Sequence, residues 1–399
     1  MHSSPHGLNR PREFIAVCAF LMATIALAVD MMLPAMDVIA AEFSLSESWE
    51  KPAMILGIFT GLMIGQWVFG PLSDHIGRKP SIQLGLAVFL VGTLVSAFAD
   101  SYTVLILGRV IQGFGAASAR IVTQAMIRDQ FSGADMARTM SFVLTIFIFV
   151  PVIAPILGQG LLYVVDWHWL FGILGLFALT MMIWVSTRLP ETLKATTPFS
   201  AKFMWEACKE TFANQQSVRF MCAAGISFGG LLAYLSSVQQ IFQTHFGVGD
   251  WFAPLFGVTA LSIAAASLLN AHIVRRFGMA RISRMSFTVQ ALWSALFLGT
   301  TFVSGQLNLI GWLIYVTPVL FLMGLTFSNL QAVAIQPLGH IAGTASTIIG
   351  STMTALSLLV GFLFAQVFNG QVTPLILTFL LTALIARGLI ASRLETVSL

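Results

Sequence analysis

Between two long apolar runs the sequence reads Phe69-Gly-Pro-Leu-Ser-Asp-His-Ile-Gly-Arg-Lys-Pro-Ser81, with an acid, a histidine and two basic residues close together. In a water-soluble protein such a segment is an ordinary surface turn. This chain, however, is 57% hydrophobic and only 9% charged, which leaves too few polar residues to cover a soluble globule of 399 residues. The segment is therefore predicted to be a short polar loop between two helices of a polytopic membrane protein.

Apolar segments long enough to cross a bilayer, which takes about 20 residues in a helix, recur along the chain. Breaks at charged or Gly/Pro-rich points separate twelve of them. A cleaved leader is the alternative for the first, but it has no clear small-residue cleavage site, so we interpret it as a retained helix. The predicted spans are 14–36, 52–73, 79–98, 102–126, 137–163, 168–188, 218–243, 252–275, 282–304, 308–333, 341–368 and 372–392.

Basic residues lie almost entirely on one side of the predicted membrane. When the N-terminus is placed in the cytoplasm, Lys51 is the only basic residue in the loops on the opposite side, and those loops are otherwise acidic. Cytoplasmic loops are enriched in Lys and Arg. The pattern therefore predicts a multi-pass protein of the inner membrane with both termini in the cytoplasm.

The polar loop has a second copy further along the chain. Residues 71–81, PLSDHIGRKPS, align with 272–282, HIVRRFGMARI, so that Gly77 falls on Gly278. Each copy lies between the second and third spans of its half, which predicts two six-helix repeats. The predicted domains are an N-terminal six-helix bundle at 1–189, a cytoplasmic linker with a basic amphipathic helix at 190–217, and a C-terminal six-helix bundle at 218–399.

Three ionisable residues, Asp30, Arg109 and Arg120, lie well inside predicted spans, where charge is costly and usually functional. Arg109, Gly113, Ala116 and Arg120 recur at helical spacing, so both arginines share a face with small residues that let another helix come close. A structural alternative stays open for each arginine. Arg109 can be satisfied by backbone carbonyls, and Arg120 lies nearer the cytoplasmic end and can reach water.

The polar loop resembles the signature between the second and third spans of the major facilitator superfamily, with His75 where that family usually has Arg. The resemblance implies an all-α integral membrane fold of twelve transmembrane helices in two six-helix pseudo-repeats. In the superfamily this loop is a latch that stabilises the outward-open state from the cytoplasmic side. The latch positions carried over to this chain are Gly70, Asp74, Gly77, Arg78 and Lys79.

The fourth predicted span begins Leu105-x-x-x-Arg109-x-x-Gln112-Gly113-x-Gly115-Ala116-Ala117, which resembles the span 4 motif of the same superfamily. In its drug/proton antiporters this arginine is linked to proton transfer, together with an acid in the first span. The resemblance implies that Asp30 and Arg109 couple transport to protons. Burial in a low-dielectric cavity favours the neutral carboxyl and a nearby guanidinium favours the charged one, so a change in their separation changes proton affinity.

The fifth predicted span contains Phe149-Val-Pro-Val-Ile-Ala-Pro-Ile-Leu-Gly-Gln-Gly160. Pro151, Pro155 and Gly158 resemble the antiporter motif of the superfamily, which importers generally lack, although Ala154 and Gln159 depart from it. The resemblance implies export. The structural alternative is an ordinary proline kink in the helix.

Shorter segments resemble the Bcr/CflA branch of the superfamily, among them Val29-Asp-Met-Met-Leu-Pro34, Trp167-His-Trp169 and Leu189-Pro-Glu-Thr-Leu193. This likeness implies a proton-coupled antiporter that exports small organic molecules, drugs or metabolites, by alternating access. The main alternative is a proton-coupled symporter or facilitator that imports a small nutrient, and sodium coupling stays open. A membrane enzyme is disfavoured because the seven histidines are dispersed.

The substrate cavity of such a protein is expected near the membrane midplane. Ser236, Gln240 and Gln243 share one face of an unusually polar seventh span, which we place toward the cavity. For each single candidate the alternative is a hydrogen bond between helices. With two arginines and one acid inside the spans, the cavity is predicted to favour neutral or anionic compounds. The predicted cavity residues are Met31, Gln112, Arg120, Tyr234, Ser236, Gln240, Gln243, Trp293 and Asn329.

Other partners are limited by the sequence. Basic residues are scattered among short loops, which disfavours nucleic acid. No phosphate-binding loop of the G-x-x-x-x-G-K-S/T kind occurs, so ATP is not the expected energy source. Cys18, Cys208 and Cys222 have no metal-binding spacing and are expected to be free thiols. The expected partners are a small-molecule substrate, protons and the bilayer, with no cofactor or metal, and the protein is expected to work as a monomer.

Overall fold

The computed structural model describes residues 11–47, 49–131, 133–193 and 201–391, and this part of the chain is helical with short connections. The predicted linker at 190–217 includes 194–200, which lie outside the described residues. The α-helices are α1 (Pro11–Asp30), α2 (Met36–Glu42), α3 (Glu50–Ile76), α4 (Arg78–Ala97), α5 (Tyr102–Gln130), α6 (Gly133–Leu162), α7 (His168–Arg188), α8 (Ala201–Ala213), α9 (Gln215–Gln240), α10 (Phe252–Phe277), α11 (Met279–Ser304), α12 (Leu309–Ile335), α13 (Ala342–Val367) and α14 (Thr373–Leu389).

Twelve of these helices correspond to the twelve predicted spans. Within the described residues, nine helical segments are long and apolar enough to cross a membrane, and one of them, Leu309–Val367, contains both α12 and α13. The shorter apolar helices Phe149–Leu162 and Thr373–Leu389 supply the remaining two. The predicted all-α fold of two six-helix repeats is confirmed.

The first span is broken, whereas the sequence predicted a continuous helix over 14–36. α1 ends at Asp30, a 3-10 turn follows at Leu33–Ala35, and α2 then begins at Met36. Pro34 explains the break, because proline has no N–H to donate to the carbonyl four residues earlier and its ring clashes with that carbonyl. In this chain that carbonyl belongs to Asp30. The only acid deep in a predicted span therefore lies at an opened helix end.

The chain forms two compact units, Met1–Leu45 with Ala53–Ala201 and Ser46–Pro52 with Lys202–Leu399. In the first unit, close helix packing depends on glycines around α5. A Cβ added at Gly61 of α3 would lie 1.8 Å from the Val110 carbonyl oxygen, and one added at Gly113 would lie 1.8 Å from that of Ile58. These close approaches fix where α5 holds its polar side chains.

In the second unit α9 packs against α12, α13 and α14. α9 ends in a π-helical turn at Ile241–His245, so the α-helical periodicity used to group Ser236, Gln240 and Gln243 stops before Gln243. α8 lies in the predicted linker. It buries Ala207 and exposes Trp205, and its predicted role as an amphipathic cytoplasmic linker stays a prediction.

Candidate functional site

The Arg109 side chain is held inside the first unit and is 2% exposed. Its Nη1 donates to the Ala28 carbonyl at 2.9 Å and to Gln112 Oε1 at 2.7 Å, and its Nε donates to the Met54 carbonyl at 3.3 Å. The guanidinium thus joins α1, α3 and α5. Two of the three acceptors are backbone carbonyls, which fits the alternative that backbone carbonyls satisfy Arg109.

The Ala28 carbonyl is available because α1 stops. In a continuing helix it would accept the N–H of Met32, but that N–H donates to the Val29 carbonyl instead, at 3.3 Å. The last carbonyls of a helix need outside donors and carry the negative end of the helix dipole. Arg109 therefore caps the C-terminus of α1 with a positive charge.

Gln112 orients the Arg109 side chain and is itself enclosed by other residues. It is fully buried, accepts from Arg109, and donates from Nε2 to Thr93 Oγ1 at 2.9 Å. The Thr93 hydroxyl in turn donates to the Phe89 carbonyl at 2.7 Å. This chain of hydrogen bonds fixes the guanidinium plane from α4. The predicted role of Gln112 in a substrate cavity stays a prediction.

Asp30 lies two residues after the carbonyl that Arg109 caps, and its side chain is 4% exposed. Among the described residues its carboxyl group has no hydrogen-bond or ion-pair partner. Arg109 Nη2 is likewise buried without a hydrogen-bond acceptor. The structure thus brings the two predicted coupling residues to the same helix end without an ion pair between them.

A small cavity lies beside the arginine. It is lined by Arg109, Met32, Met54, Leu105 and Phe171, among others, and its volume of about 10 Å³ is room for roughly one water molecule. The Arg109 Cζ lies 5.8 Å from the centre of the Phe171 ring. The cavity therefore offers the buried guanidinium a place for a small polar partner.

The predicted latch residues around the loop between α3 and α4 also include a group whose side chains lie close together. Arg78 is 4% exposed, and its Nη1 donates to Asp74 Oδ1 at 2.5 Å and to Ser73 Oγ at 2.7 Å. Its Nε donates to Asp129 Oδ2, at the end of α5, at 2.9 Å. The sequence interpretation named Arg78 and Asp74 but missed Asp129, whose position at a helix end is the only local signal for it.

Glu191 is a second residue that the sequence interpretation missed, although its segment was singled out for resemblance. Its Oε1 accepts the backbone N–H of Arg78 and its Oε2 that of Lys79, both at 3.0 Å, so it caps the N-terminus of α4. Gly77 precedes this cap with φ at 102°, a conformation that favours glycine. Lys79 Nζ, by contrast, is exposed and donates to the Ser186 carbonyl at 2.7 Å.

The predicted cavity residues of the second unit have separate partners on neighbouring helices. The Tyr234 hydroxyl lies 2.7 Å from Thr259 Oγ1, and Trp293 Nε1 donates to the Tyr315 carbonyl at 3.2 Å. Gln243 Nε2 donates to the Gly249 carbonyl at 3.1 Å. Each of these bonds fits the alternative of a hydrogen bond that holds the unit together, and the cavity role of these residues stays a prediction.

The other predicted cavity residues differ in exposure. Ser236 is buried and donates to the Ala233 carbonyl at 3.0 Å. Met31 is buried in the turn after Asp30. Gln240 and Arg120 are partly exposed. Arg120 therefore has access that Arg109 lacks, although both lie on α5.

Asn329 forms a reciprocal amide pair, and this leads to a stability prediction. Its Nδ2 donates to Asn270 Oδ1 at 2.8 Å, and Asn270 Nδ2 donates back at 3.0 Å, with both residues buried. Asn270→Leu is expected to destabilise the protein by about 1–3 kcal/mol, because it leaves a buried amide unpaired. Thermal unfolding in detergent measures this. Asn270→Leu combined with Asn329→Leu is expected to recover most of the loss, and a double variant no more stable than the single one would contradict the pairing.

In the described residues one group of side chains has the composition of a metal site, namely Glu42, Asp166 and His168, whose ligand atoms lie within 4.8 Å of one another. These groups already have partners. Trp167 Nε1 donates to Glu42 at 2.6 Å, and Asp166 contacts the His168 ring. The His168 backbone N–H also donates to Asp166 and lowers the pKa of that carboxyl. We assign no metal to this group.

The described chain has helices of membrane-spanning length in two compact units and an arginine buried at a broken first helix, which indicates a polytopic membrane protein. The family model described as Major Facilitator Superfamily matches residues 18–362, and the chain belongs to this superfamily. The prediction made from the loop and span motifs is confirmed. The protein is therefore a multi-pass inner-membrane protein of a family that moves small molecules.

Named relatives share modest identity over most of the chain. A bicyclomycin resistance protein homolog of Haemophilus influenzae is 28% identical over 371 residues, 92% of each chain. The uncharacterized MFS-type transporter YdgK of Bacillus subtilis is 27% identical over 83% of this chain and 84% of its own. The multidrug transporter MdfA of Yersinia pestis is 29% identical over 63% of each.

Solved structures resemble the fold. The xylose transporter XylE from E. coli, in a partially occluded inward-open conformation, covers 94% of this chain and 95% of its own with a TM-score of 0.72 and 14% identity. The human organic anion transporter MFSD10 covers 96% of this chain and 100% of its own with a TM-score of 0.66 and 14% identity. At these identities the likeness extends to the fold alone.

Proposed function

We propose that this protein is a proton-coupled efflux antiporter that exports small organic molecules, drugs or metabolites, across the inner membrane by alternating access. The observation that carries the proposal is the end of α1. There Arg109 caps the Ala28 carbonyl, and the Asp30 carboxyl two residues later is buried with no partner among the described residues. Burying an acid without a partner is costly, and ionisable residues inside membrane spans are usually functional.

The geometry suits a group that gains and loses a proton. A negative charge on Asp30 is opposed by burial and by the C-terminal end of the α1 dipole. The Nη2 amino group of the nearby Arg109 is buried and has no acceptor among the described residues. A small movement of α1 that brings the carboxylate to that group would stabilise the charged form and release the proton. The reverse movement would favour proton uptake.

Export is proposed over import on two grounds. Pro151, Pro155 and Gly158 lie together inside α6, as in the antiporter motif. Relatives with the names bicyclomycin resistance protein homolog and chloramphenicol resistance protein CraA align with 92% and 84% of this chain. In the same proposal the polar loop acts as the conformational latch, both termini face the cytoplasm, and one chain is sufficient.

The cargo is proposed to be neutral or anionic. Arg109 and Arg120 are the two arginines well inside the predicted spans, and Asp30 is the one acid deep within them. An environment with this excess of positive charge opposes lipophilic dications. The proposed contacts are the cavity residues predicted from the sequence, of which Arg120, partly exposed on α5, carries a charge.

The test is substrate-driven proton release from inverted membrane vesicles with a respiration-built pH gradient and a pH-sensitive dye. A panel of antibiotics, amino-acid derivatives and siderophores is added. The wild-type protein is expected to release protons with at least one compound, and Asp30→Asn is expected to abolish the response because an amide cannot exchange the proton. Asp100→Asn, which changes an exposed acid between α4 and α5, is the matched control.

Three outcomes would count against the proposal. A response that persists in Asp30→Asn would remove Asp30 as the proton carrier. Proton movement in the opposite direction, together with the compound, would favour the nutrient symporter. A dication as the best substrate would contradict the predicted charge of the cargo.

A further inference from the structure

We infer that Gly158 of α6 is a positioning residue for Asp30, because its missing side chain lets α6 seat against the backbone of Met31 and so fixes the broken end of α1. This inference rests on the proposed role of Asp30 as the proton carrier. It gives the antiporter-like motif of α6 a physical task in the coupling step, in addition to bending the helix.

The contact is between backbones. A Cβ added at Gly158 would lie 2.2 Å from the Met31 carbonyl oxygen, 3.1 Å from its carbon and 3.3 Å from its Cα. All three atoms belong to the main chain of one residue, so no side-chain rotation could make room. The hydrogen that takes this place on glycine points toward the carbonyl oxygen, as in the weak Cα–H···O contacts between closely packed helices. Any larger residue at 158 must displace Met31.

Met31 is the first residue after the end of α1. Its own N–H donates to the Leu27 carbonyl at 3.1 Å, while the next N–H, that of Met32, turns back to Val29. The end of α1 is thus held on one side by Arg109, at Ala28, and on the other by Gly158, at Met31. Asp30 lies between the two attachment points in the chain, so moving either one moves its carboxyl group.

Few charged groups other than Arg109 face this helix end. Within the described residues α5, α6 and α7 pack against α1, and Arg109 also joins α3 to its end through the Met54 carbonyl. α5 presents Arg109 and, further along the same face, the partly exposed Arg120, and α6 has no ionisable residue from Phe149 to Leu162. The ionisable residues of α2 and α3 lie near the ends of those helices, at Asp37, Glu42, Glu50, Lys51, Asp74 and His75. α7 has ionisable residues only at its two ends, His168 and Arg188. A change in Asp30 protonation after a change at residue 158 is therefore expected to reflect its position relative to Arg109.

The same helix offers a control just outside the motif. Gly160 lies two residues further along α6, and a Cβ added there would meet no atom of the described residues within 4 Å. Gly158→Ala and Gly160→Ala add the same methyl group to the same helix with the same change in helix propensity. They differ in whether that methyl group meets the Met31 carbonyl.

The experiment measures Asp30 directly. A hydrophobic carbodiimide reacts with protonated buried carboxyl groups, and its incorporation into the Asp30 peptide is followed by mass spectrometry against pH in purified, detergent-solubilised full-length protein. The pH profile of proton release in vesicles is recorded in parallel. Gly158→Ala is expected to move the midpoint of both profiles by about half a pH unit or more, whereas Gly160→Ala is expected to leave them in place.

Several outcomes would overturn the inference. It fails if the Gly158→Ala labelling profile coincides with that of the wild type, or if Gly160→Ala shifts the profile equally. If Gly158→Ala yields no folded protein, it is combined with Pro34→Ala, which restores an N–H for the Asp30 carbonyl and relaxes the break. A labelling profile whose midpoint in that double variant lies at the wild-type pH would also overturn the inference. Transport at the wild-type rate by the Asp30→Asn variant would instead contradict the proposed function. The labelling result at Gly158 does not depend on that outcome.

Discussion

Replacing Arg109 with lysine is expected to reduce proton-coupled transport at least tenfold, even though the positive charge is kept. The guanidinium fork reaches the Ala28 carbonyl, the Met54 carbonyl and Gln112 Oε1 at once. An ammonium group is a single point with no planar fork and cannot hold all three acceptors. Hydrogen bonds to charged groups are worth about 1.5–3 kcal/mol each, and loss of one corresponds to roughly tenfold in an equilibrium constant.

The measurement is the vesicle assay, with thermal unfolding in detergent to show that the variant is folded. Arg188→Lys is the control, because Arg188 lies at the end of α7, is half exposed, and approaches Glu13 Oε1 no closer than 3.7 Å. Transport by Arg109→Lys at the wild-type rate would mean that charge alone is needed at this position. The cap on the α1 carbonyl would then have no part in coupling.

Much of the fold follows from apolar length. Twelve segments of membrane-spanning length were recognisable because each is interrupted by charged residues or by glycine and proline, and helices occupy all twelve in the structure. Two local breaks were not predicted. The end of α1 has a visible cause in Pro34. The π-turn at Ile241–His245 has no local sequence signal, because a π-turn depends on the packing of the helix around it.

Residues of the candidate site could be predicted where they are chemically unusual for a membrane span. Asp30 and Arg109 were singled out because charges inside spans are costly, and the structure places them at one helix end. Their exact partners were beyond sequence reasoning. The Ala28 and Met54 carbonyls carry no side-chain signal, and Asp129 and Glu191 lie 51 and 113 residues from Arg78. Contacts over such separations depend on the three-dimensional packing of the bundle.

The second large effect is expected at Arg78. Arg78→Leu is expected to destabilise the protein by about 3 kcal/mol, because removing one partner of a buried ion pair leaves a charge without compensation. In this variant the carboxylates of Asp129 and Asp74 are left without their ion-pair partner, and their side chains are 20% and 45% exposed. Partial access to water keeps the expected cost at the lower end of the range for buried pairs. Thermal unfolding of the purified protein in detergent measures the loss.

Lys79→Ala is the matched comparison, since the sequence motif gives the two neighbouring basic residues the same latch role. The Lys79 ammonium is exposed and bonds to one carbonyl, so its removal is expected to cost no more than about 1 kcal/mol. Equal losses for the two variants would contradict the structure, in which Arg78 is a buried tie between α3, α4 and α5. If Arg78→Leu loses more stability than Lys79→Ala and transport is reduced in both variants, the two residues have different roles. Arg78 would then keep the polar loop folded, and Lys79 would act mainly in transport.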